Sequence, residues 1–110
     1  MVKSVRPGRP ARGSKSGRPI MVLLDLLGRR WTLRIVWELR EGPRRFRELQ
    51  DLIGASPTIV NARLAELRAA RLVELDERTG YRLTALGREL LRLFLPLHQW
   101  SEKWAKAVAS

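Results

Sequence analysis

Thr58, Asn61 and Ala62 fall on one arc of the stretch Ser56–Ala70, SPTIVNARLAELRAA, and their types suit one kind of chemistry. A hydroxyl, an amide and a methyl on short stems match what a base-pair edge presents in the DNA major groove: hydrogen-bond donors, acceptors and the thymine methyl. Asn61 can pair bidentately with adenine. At 100° per residue Ala65 and Ala69 extend this small, uncharged arc, while Val60, Leu64, Leu67 and Arg71 gather on the opposite one. The plainer reading is an ordinary solvated helix face, but such faces more often carry Glu and Lys. Ser56 is a good N-cap, and Pro57 suits the first helical position, where a missing N–H costs nothing. The stretch therefore predicts a helix with one buried side and one side able to read bases.

Other chemistries are poorly served. The 110 residues contain no Cys and a single His, His98, which leaves no disulfide, thiolate metal site, metal cluster or catalytic triad. No paired carboxylates, Gly-rich phosphate loop or nucleophile–base set can be assembled, so neither an enzymatic role nor a cofactor is expected. No apolar run reaches the roughly 20 residues of a membrane span, and the N-terminus has no secretory h-region. A cytoplasmic, nucleoid-associated protein is expected. Lys plus Arg number 22 against 11 Asp plus Glu, a net +11, which favours nucleic acid as the partner.

The elements that must hold the Ser56–Ala70 helix follow from periodicity. Pro19–Leu27 is apolar nearly all round and is closed by Gly28, a short helix that needs cover on every side. Trp31–Arg40 predicts a second helix with Trp31, Leu33, Ile35, Val36, Trp37 and Leu39 inward, ended by Gly42-Pro43. A third, about Arg47–Ile53, buries Phe46, Leu49, Leu52 and Ile53, and Gly54-Ala55 turns the chain into Ser56. Helix, short Gly-containing turn and second helix form a helix-turn-helix. Leu72–Leu75 and Tyr81–Leu83 alternate as strands about a turn at Asp76–Gly80, a hairpin with Arg78 and Thr79 near its tip. Thr84 can cap a last helix from Ala85, with apolar residues at Leu86, Leu90, Leu93, Leu97, Trp100, Trp104 and Val108. Most of those steps follow the heptad spacing of a helix–helix seam, and Pro96 must kink or split the helix.

Residues 1–18 hold six basic residues, no acidic ones and little to bury, which predicts a disordered basic tail ahead of one domain at 19–110. Without the tail, 16 basic residues face 11 acidic ones, so the domain carries only +5. Arg6, Arg9, Arg12 and Arg18 recur among these cations, and two Gly-Arg-Pro triplets resemble pieces of an AT-hook that lies in the minor groove. Each copy lacks the hook's first Arg, and a tail that binds phosphates without preference is the alternative. Either form adds affinity and salt dependence through counterion release.

Asp25–Leu49, with Ser56-Pro57, Arg63-Leu64, Glu66-Leu67, Leu72-Val73 and Tyr81–Gly87, resembles the HxlR-type transcriptional regulators, bacterial winged-helix proteins related to the MarR group. The resemblance covers about residues 19–105 and rests on Gly28-x-x-Trp31-Thr32-Leu33, Gly42-Pro43-Arg44-Arg45-Phe46-x-Glu48-Leu49 and Leu83-Thr84-x-Leu86-Gly87, in that order. It implies a mainly α fold with a small β-hairpin wing, a winged helix-turn-helix that dimerises through its first and last helices. The recognition helix would enter a major groove and the wing an adjoining minor groove. Some relatives sense thiol chemistry through a Cys just before the Pro that opens the first helix; Arg18 stands there in this chain. The wing is shorter than in many relatives, and positions 58 and 62, often long and polar there, are Thr and Ala, which shifts weight to Asn61, methyl contacts and DNA shape.

The expected DNA-contacting set is thus Ser56, Thr58, Asn61, Ala62 and Arg63 on the recognition helix, with Arg44, Arg45, Arg47 and Arg78 on phosphates and wing. Arg63 borders the buried arc, so an internal salt bridge is its alternative. Leu23, Leu27, Leu93, Leu97, Trp100 and Trp104 are the expected dimer contacts. A homodimeric, sequence-specific regulator on a pseudo-palindromic operator is the leading expectation. A non-specific architectural DNA-binding protein is the rival, and a small-molecule effector stays open.

Overall fold

A computed structural model of the chain describes residues 17–109. Residues 1–16 of the expected tail, with Arg6, Arg9 and Arg12, lie outside the described residues, whereas Gly17 and Arg18 lead directly into α1. The order is α1 (Pro19–Leu27), α2 (Thr32–Glu38), α3 (Phe46–Ile53), α4 (Pro57–Ala69), β1 (Val73–Asp76), β2 (Gly80–Leu83), α5 (Ala85–Phe94) and α6 (Pro96–Ala109).

The core is built where the apolar arcs of α2, α3 and α4 meet. Ile35, Val36, Leu49, Val60, Leu64 and Leu67 are buried essentially completely, with Leu72, Val73, Leu83 and Leu91 closing one side and Val22 and Leu26 of α1 the other. Each such burial contributes about 1.5–3 kcal/mol relative to exposure.

Two expectations inside this core need correction. Leu52 is 41% exposed. At 100° per residue Phe46, Leu49 and Ile53 lie within about 60° of one another and Leu52 falls outside that arc, so packing takes the other three. Helix α2 starts at Thr32, because Trp31 sits at φ 78°, a left-handed backbone that bulky residues rarely adopt. Trp31, Leu33 and Trp37 are consequently half-buried rather than inward. The Arg30 guanidinium lies 4.6 Å from the Trp31 ring and that of Arg40 lies 4.1 Å from the Trp37 ring.

The wing is a two-stranded antiparallel hairpin in the register Val73↔Leu83, Glu74↔Arg82, Leu75↔Tyr81. A single residue ahead of α3 extends it: the Arg44 N–H donates to the Tyr81 carbonyl at 2.9 Å, and the Tyr81 N–H donates to the Arg44 carbonyl at 2.8 Å. Gly80 permits this approach, since its φ is +103° and a Cβ there would lie 2.5 Å from the Arg44 oxygen. Gly87 does the same for α5, where a Cβ would lie 2.1 Å from the Leu72 oxygen. Thr84 caps α5, its Oγ1 accepting from the Gly87 N–H at 3.0 Å and donating to the Arg71 carbonyl at 2.7 Å.

Pro96 splits the last helix in two, as its missing N–H and ring require. Helix α6 buries none of its residues. It touches the body partly through His98, whose ring meets Trp37 edge-on at 5.5 Å.

Candidate nucleic-acid interface

The α3–turn–α4 unit places one helix end in the open. Gly54 ends α3 and Ser56 caps α4, its Oγ accepting the Ile59 N–H at 3.3 Å. With Val60, Leu64 and Leu67 fixed in the core, Thr58, Ile59 and Asn61 are exposed and Ala62 half-exposed. These four surround the first turns of α4, the part of a recognition helix that enters a major groove. Ile59 is absent from the expected set. Its signal was available, because at 100° per residue it lies roughly 100° away from the centre of the buried arc.

The arginines divide into held and free groups. The Arg63 guanidinium takes the internal alternative: Nη1 donates to Glu66 Oε1 at 2.7 Å, with only 23% of the side chain exposed. Arg44 is likewise drawn inward, its Nε donating to the Glu38 carbonyl at 2.7 Å and Nη1 standing 3.7 Å from Glu48. Arg45 reaches across to the wing, where Nη2 donates to the Arg78 carbonyl, while its N–H donates to Glu48 Oε1 at 3.1 Å. So Arg45 ties the wing tip to the N-terminus of α3 and positions a basic edge. Arg47 and Arg78 are exposed and make no ion pair among the described residues. Arg68 and Arg71, near the C-terminal end of α4, are two more exposed cations that sequence reasoning did not single out as DNA contacts. Arg18 is the N-cap residue of α1.

The wing turn is held from within. Asp76 Oδ1 accepts from the Arg78 N–H at 2.7 Å and the Thr79 N–H at 3.3 Å. Those two bonds, with the Arg82 guanidinium 3.5 Å away, hold the Asp76 carboxyl below its ordinary pKa against a smaller opposing effect of burial. Arg82 also bonds Glu74 across the strands at 2.8 Å.

A family model described as HxlR-like helix-turn-helix matches residues 26–109. The chain belongs to that family. Among its relatives, an HTH-type transcriptional regulator of Synechocystis is 31% identical over 93 residues, covering 78% of this chain and 69% of that protein. A Mycobacterium tuberculosis regulator is 34% identical over 94 residues, but this chain spans only 60% of its length. Among solved structures, the quinone-bound regulator YodB of Bacillus subtilis aligns with a TM-score of 0.69 at 32% identity, over 76% of this chain and 96% of that one. A possible HxlR family factor from Thermoplasma volcanium aligns at 0.70 and 29% identity, over 80% and 85%. The chain is accordingly a winged helix-turn-helix transcriptional regulator of the HxlR family rather than an enzyme.

The residues expected from the sequence to make dimer contacts differ in exposure. Leu93, Leu97, Trp100 and Trp104 are exposed by 79%, 54%, 56% and 54%. Trp100 and Trp104 stack on each other with centroids 6.4 Å apart. Leu23 and Leu27 are half-buried within the chain, and on α1 it is Ile20 and Leu24 that face outward. Among the described residues no group of His, Cys, Asp or Glu could hold a metal, and no helix is long and apolar enough to cross a membrane.

Proposed function

We propose that this regulator acts as a homodimer that reads a pseudo-palindromic operator, each subunit inserting α4 into a major groove. The observation that carries the reading is the outer face of α4. Thr58, Ile59 and Asn61 stand exposed, with Ala62 half-exposed beside them, on a helix whose other side is locked into the core. Phosphate contacts from Arg47 and Arg78 set the register, and Asn61 with the methyl-bearing residues reads bases. Arg45 acts on the DNA through the wing it holds. The exposed apolar stripe of α5 and α6 supports the dimer, since a monomer rarely leaves so many large apolar side chains in water. Two-fold symmetry then calls for half-sites about 10 bp, or a multiple, apart.

A small-molecule effector is part of this reading, supported by the quinone-bound structure of YodB. With no Cys in the chain, capture of such a ligand through a thiol adduct is excluded.

A gel-shift titration tests the function, using DNA upstream of the gene and its neighbours at two salt concentrations, beside a variant lacking residues 1–18. A discrete shift that survives excess random DNA without the tail is the expected result. A ladder of shifts that disappears with competitor would favour the architectural alternative, in which the basic tail drives binding by counterion release. A footprint without two-fold symmetry would remove the dimeric arrangement.

A further inference from the structure

One cluster plays no part in that reading. Four ionic side chains run in a chain from α1, through the turn that follows it, to the underside of α4. Arg29 Nη2 donates to Asp25 Oδ2 at 3.0 Å, Arg29 Nη1 lies 3.0 Å from Glu66 Oε2, and Glu66 Oε1 accepts from Arg63 at 2.7 Å. The side chains of Asp25, Arg29 and Glu66 are only 10%, 10% and 13% exposed. The Nε atoms of Arg29 and Arg63 are buried without a hydrogen-bond partner among the described residues.

Stability alone does not account for such an arrangement. Desolvating four charges offsets most of their attraction, and apolar side chains of similar volume often hold a protein together as well or better. The two bare Nε atoms add to the cost. Ion pairs do supply direction: a guanidinium bound to Asp25 on one side and Glu66 on the other accepts one separation and one rotation of the two helices. That constraint matters here because α1 and the C-terminal end of α4 are otherwise parted by an open apolar groove of about 570 Å³, lined by Val22, Leu23 and Leu26 on one wall and Ala69 and Ala70 on another. The turn bearing Arg29 is itself defined by the left-handed backbone of Trp31 two residues on.

We infer that Arg29 and Glu66 are positioning residues for DNA reading, fixing α4 against α1 and so setting the separation of half-sites the dimer accepts. This rests on the dimeric operator-binding reading above, because α1 and the last helices carry the two-fold contact while α4 carries the bases. A helix free to shift on α1 would still bind a half-site but would tolerate several spacings.

The test begins with a duplex selected from a random library by the full-length wild-type chain, then remade with one or two base pairs added or removed between half-sites. Binding of each duplex is read by fluorescence anisotropy. Wild type is expected to lose affinity with each added or removed base pair, since each turns one half-site by roughly 35° from the two-fold arrangement. In an Arg63→Met background, the triple variant Asp25→Leu, Arg29→Met, Glu66→Met, which leaves no charge of the cluster unpaired, is expected to flatten that profile to within about twofold while keeping its urea midpoint equal or higher. Arg29→Lys, whose point charge can serve one carboxylate but not both, should fall between them. A folded triple variant that keeps the wild-type profile overturns the inference. A uniform loss at all spacings also overturns it, since that is what a merely structural role produces. If the triple variant does not fold, Arg29→Lys decides: an unchanged profile overturns the inference and a flattened one supports it. Selection by wild type of sites without two-fold symmetry would instead remove the dimeric reading and this inference with it.

Discussion

Helices α4 and α6 are nearly equal in length, 13 and 14 residues, and both carry apolar arcs, yet α4 buries Val60, Leu64 and Leu67 while α6 buries nothing. The difference is one of cover. Helix α4 is the last of three helices that close on one another, so its arc meets Leu49 and Ile35 of its own chain. Helix α6 follows a proline split and leaves the body, carrying Trp100, Trp104 and Val108 into solvent. An apolar stripe shows that a helix needs a partner; only the packing shows whether the same chain supplies it.

Replacement in the two stripes is the strongest way to break that comparison. Leu64→Ala should cost about 2–5 kcal/mol of stability in urea unfolding, as a cavity in a closed core does. Trp100→Ala and Trp104→Ala should leave the protomer's midpoint nearly unchanged at low concentration but weaken self-association by about 2 kcal/mol each if they anchor the dimer, as read by sedimentation equilibrium. The opposite pattern, a lowered midpoint with association untouched, would show that α6 folds onto its own body.

Within α4 the same contrast holds between the buried arc and the outer face. Asn61→Ala should leave thermal unfolding almost unchanged while reducing discrimination between the selected site and one with the contacted base replaced, by roughly 1–3 kcal/mol. Equal weakening on both DNAs would assign Asn61 a general surface role. The paired and unpaired arginines sharpen this further. Arg47→Ala should weaken binding to all sequences alike and lower the salt slope by about one counterion. Arg45→Ala should act mainly on the wing, raising exchange of the Arg78 and Thr79 amides in the free protein. An Arg45 variant with an undisturbed wing would return that residue to the phosphate-contacting group.

Much of this was legible in the sequence because the signals are local. Ser56-Pro57, Thr84 and Pro96 each act through their own backbone, so the starts of α4 and α5 and the split before α6 follow from residue type. The hairpin likewise follows from alternation on either side of the expected Asp76–Gly80 turn, whose two end residues pair so that only Glu77, Arg78 and Thr79 lie between the strands. Pairings between distant residues could not be read that way. Arg63 with Glu66 is one helical turn, but Arg29 with Glu66 needs α1 and α4 brought together first, and Arg45 with Arg78 needs the wing folded against α3. Exposure of Leu52 beside buried Ile53, by contrast, was legible in the helical arc, since only Ile53 shares that arc with Phe46 and Leu49.

The smallest expected effect concerns acid, and it separates wing from core. The bonds from the Arg78 and Thr79 amides favour the charged form of Asp76, so its folded pKa lies below that of the unfolded chain, about 3.9. The unfolded state then binds protons more readily. The stabilisation is complete above that ordinary value and is lost as pH falls through the lower, folded one. An NMR titration should therefore show the Arg78 and Thr79 amides shifting only below the ordinary carboxylate range, while the amides around Leu64 stay still through the same step. Asp76→Asn, which keeps an oxygen acceptor without the charge, should abolish the acid step. Titration of Asp76 at or above the ordinary value would mean that the turn is not held closed in solution, and the wing would then have to order on the DNA. With the carboxylate held ionised, the Arg45 and Asp76 bonds together preset the tip at neutral pH, so that binding need not order it.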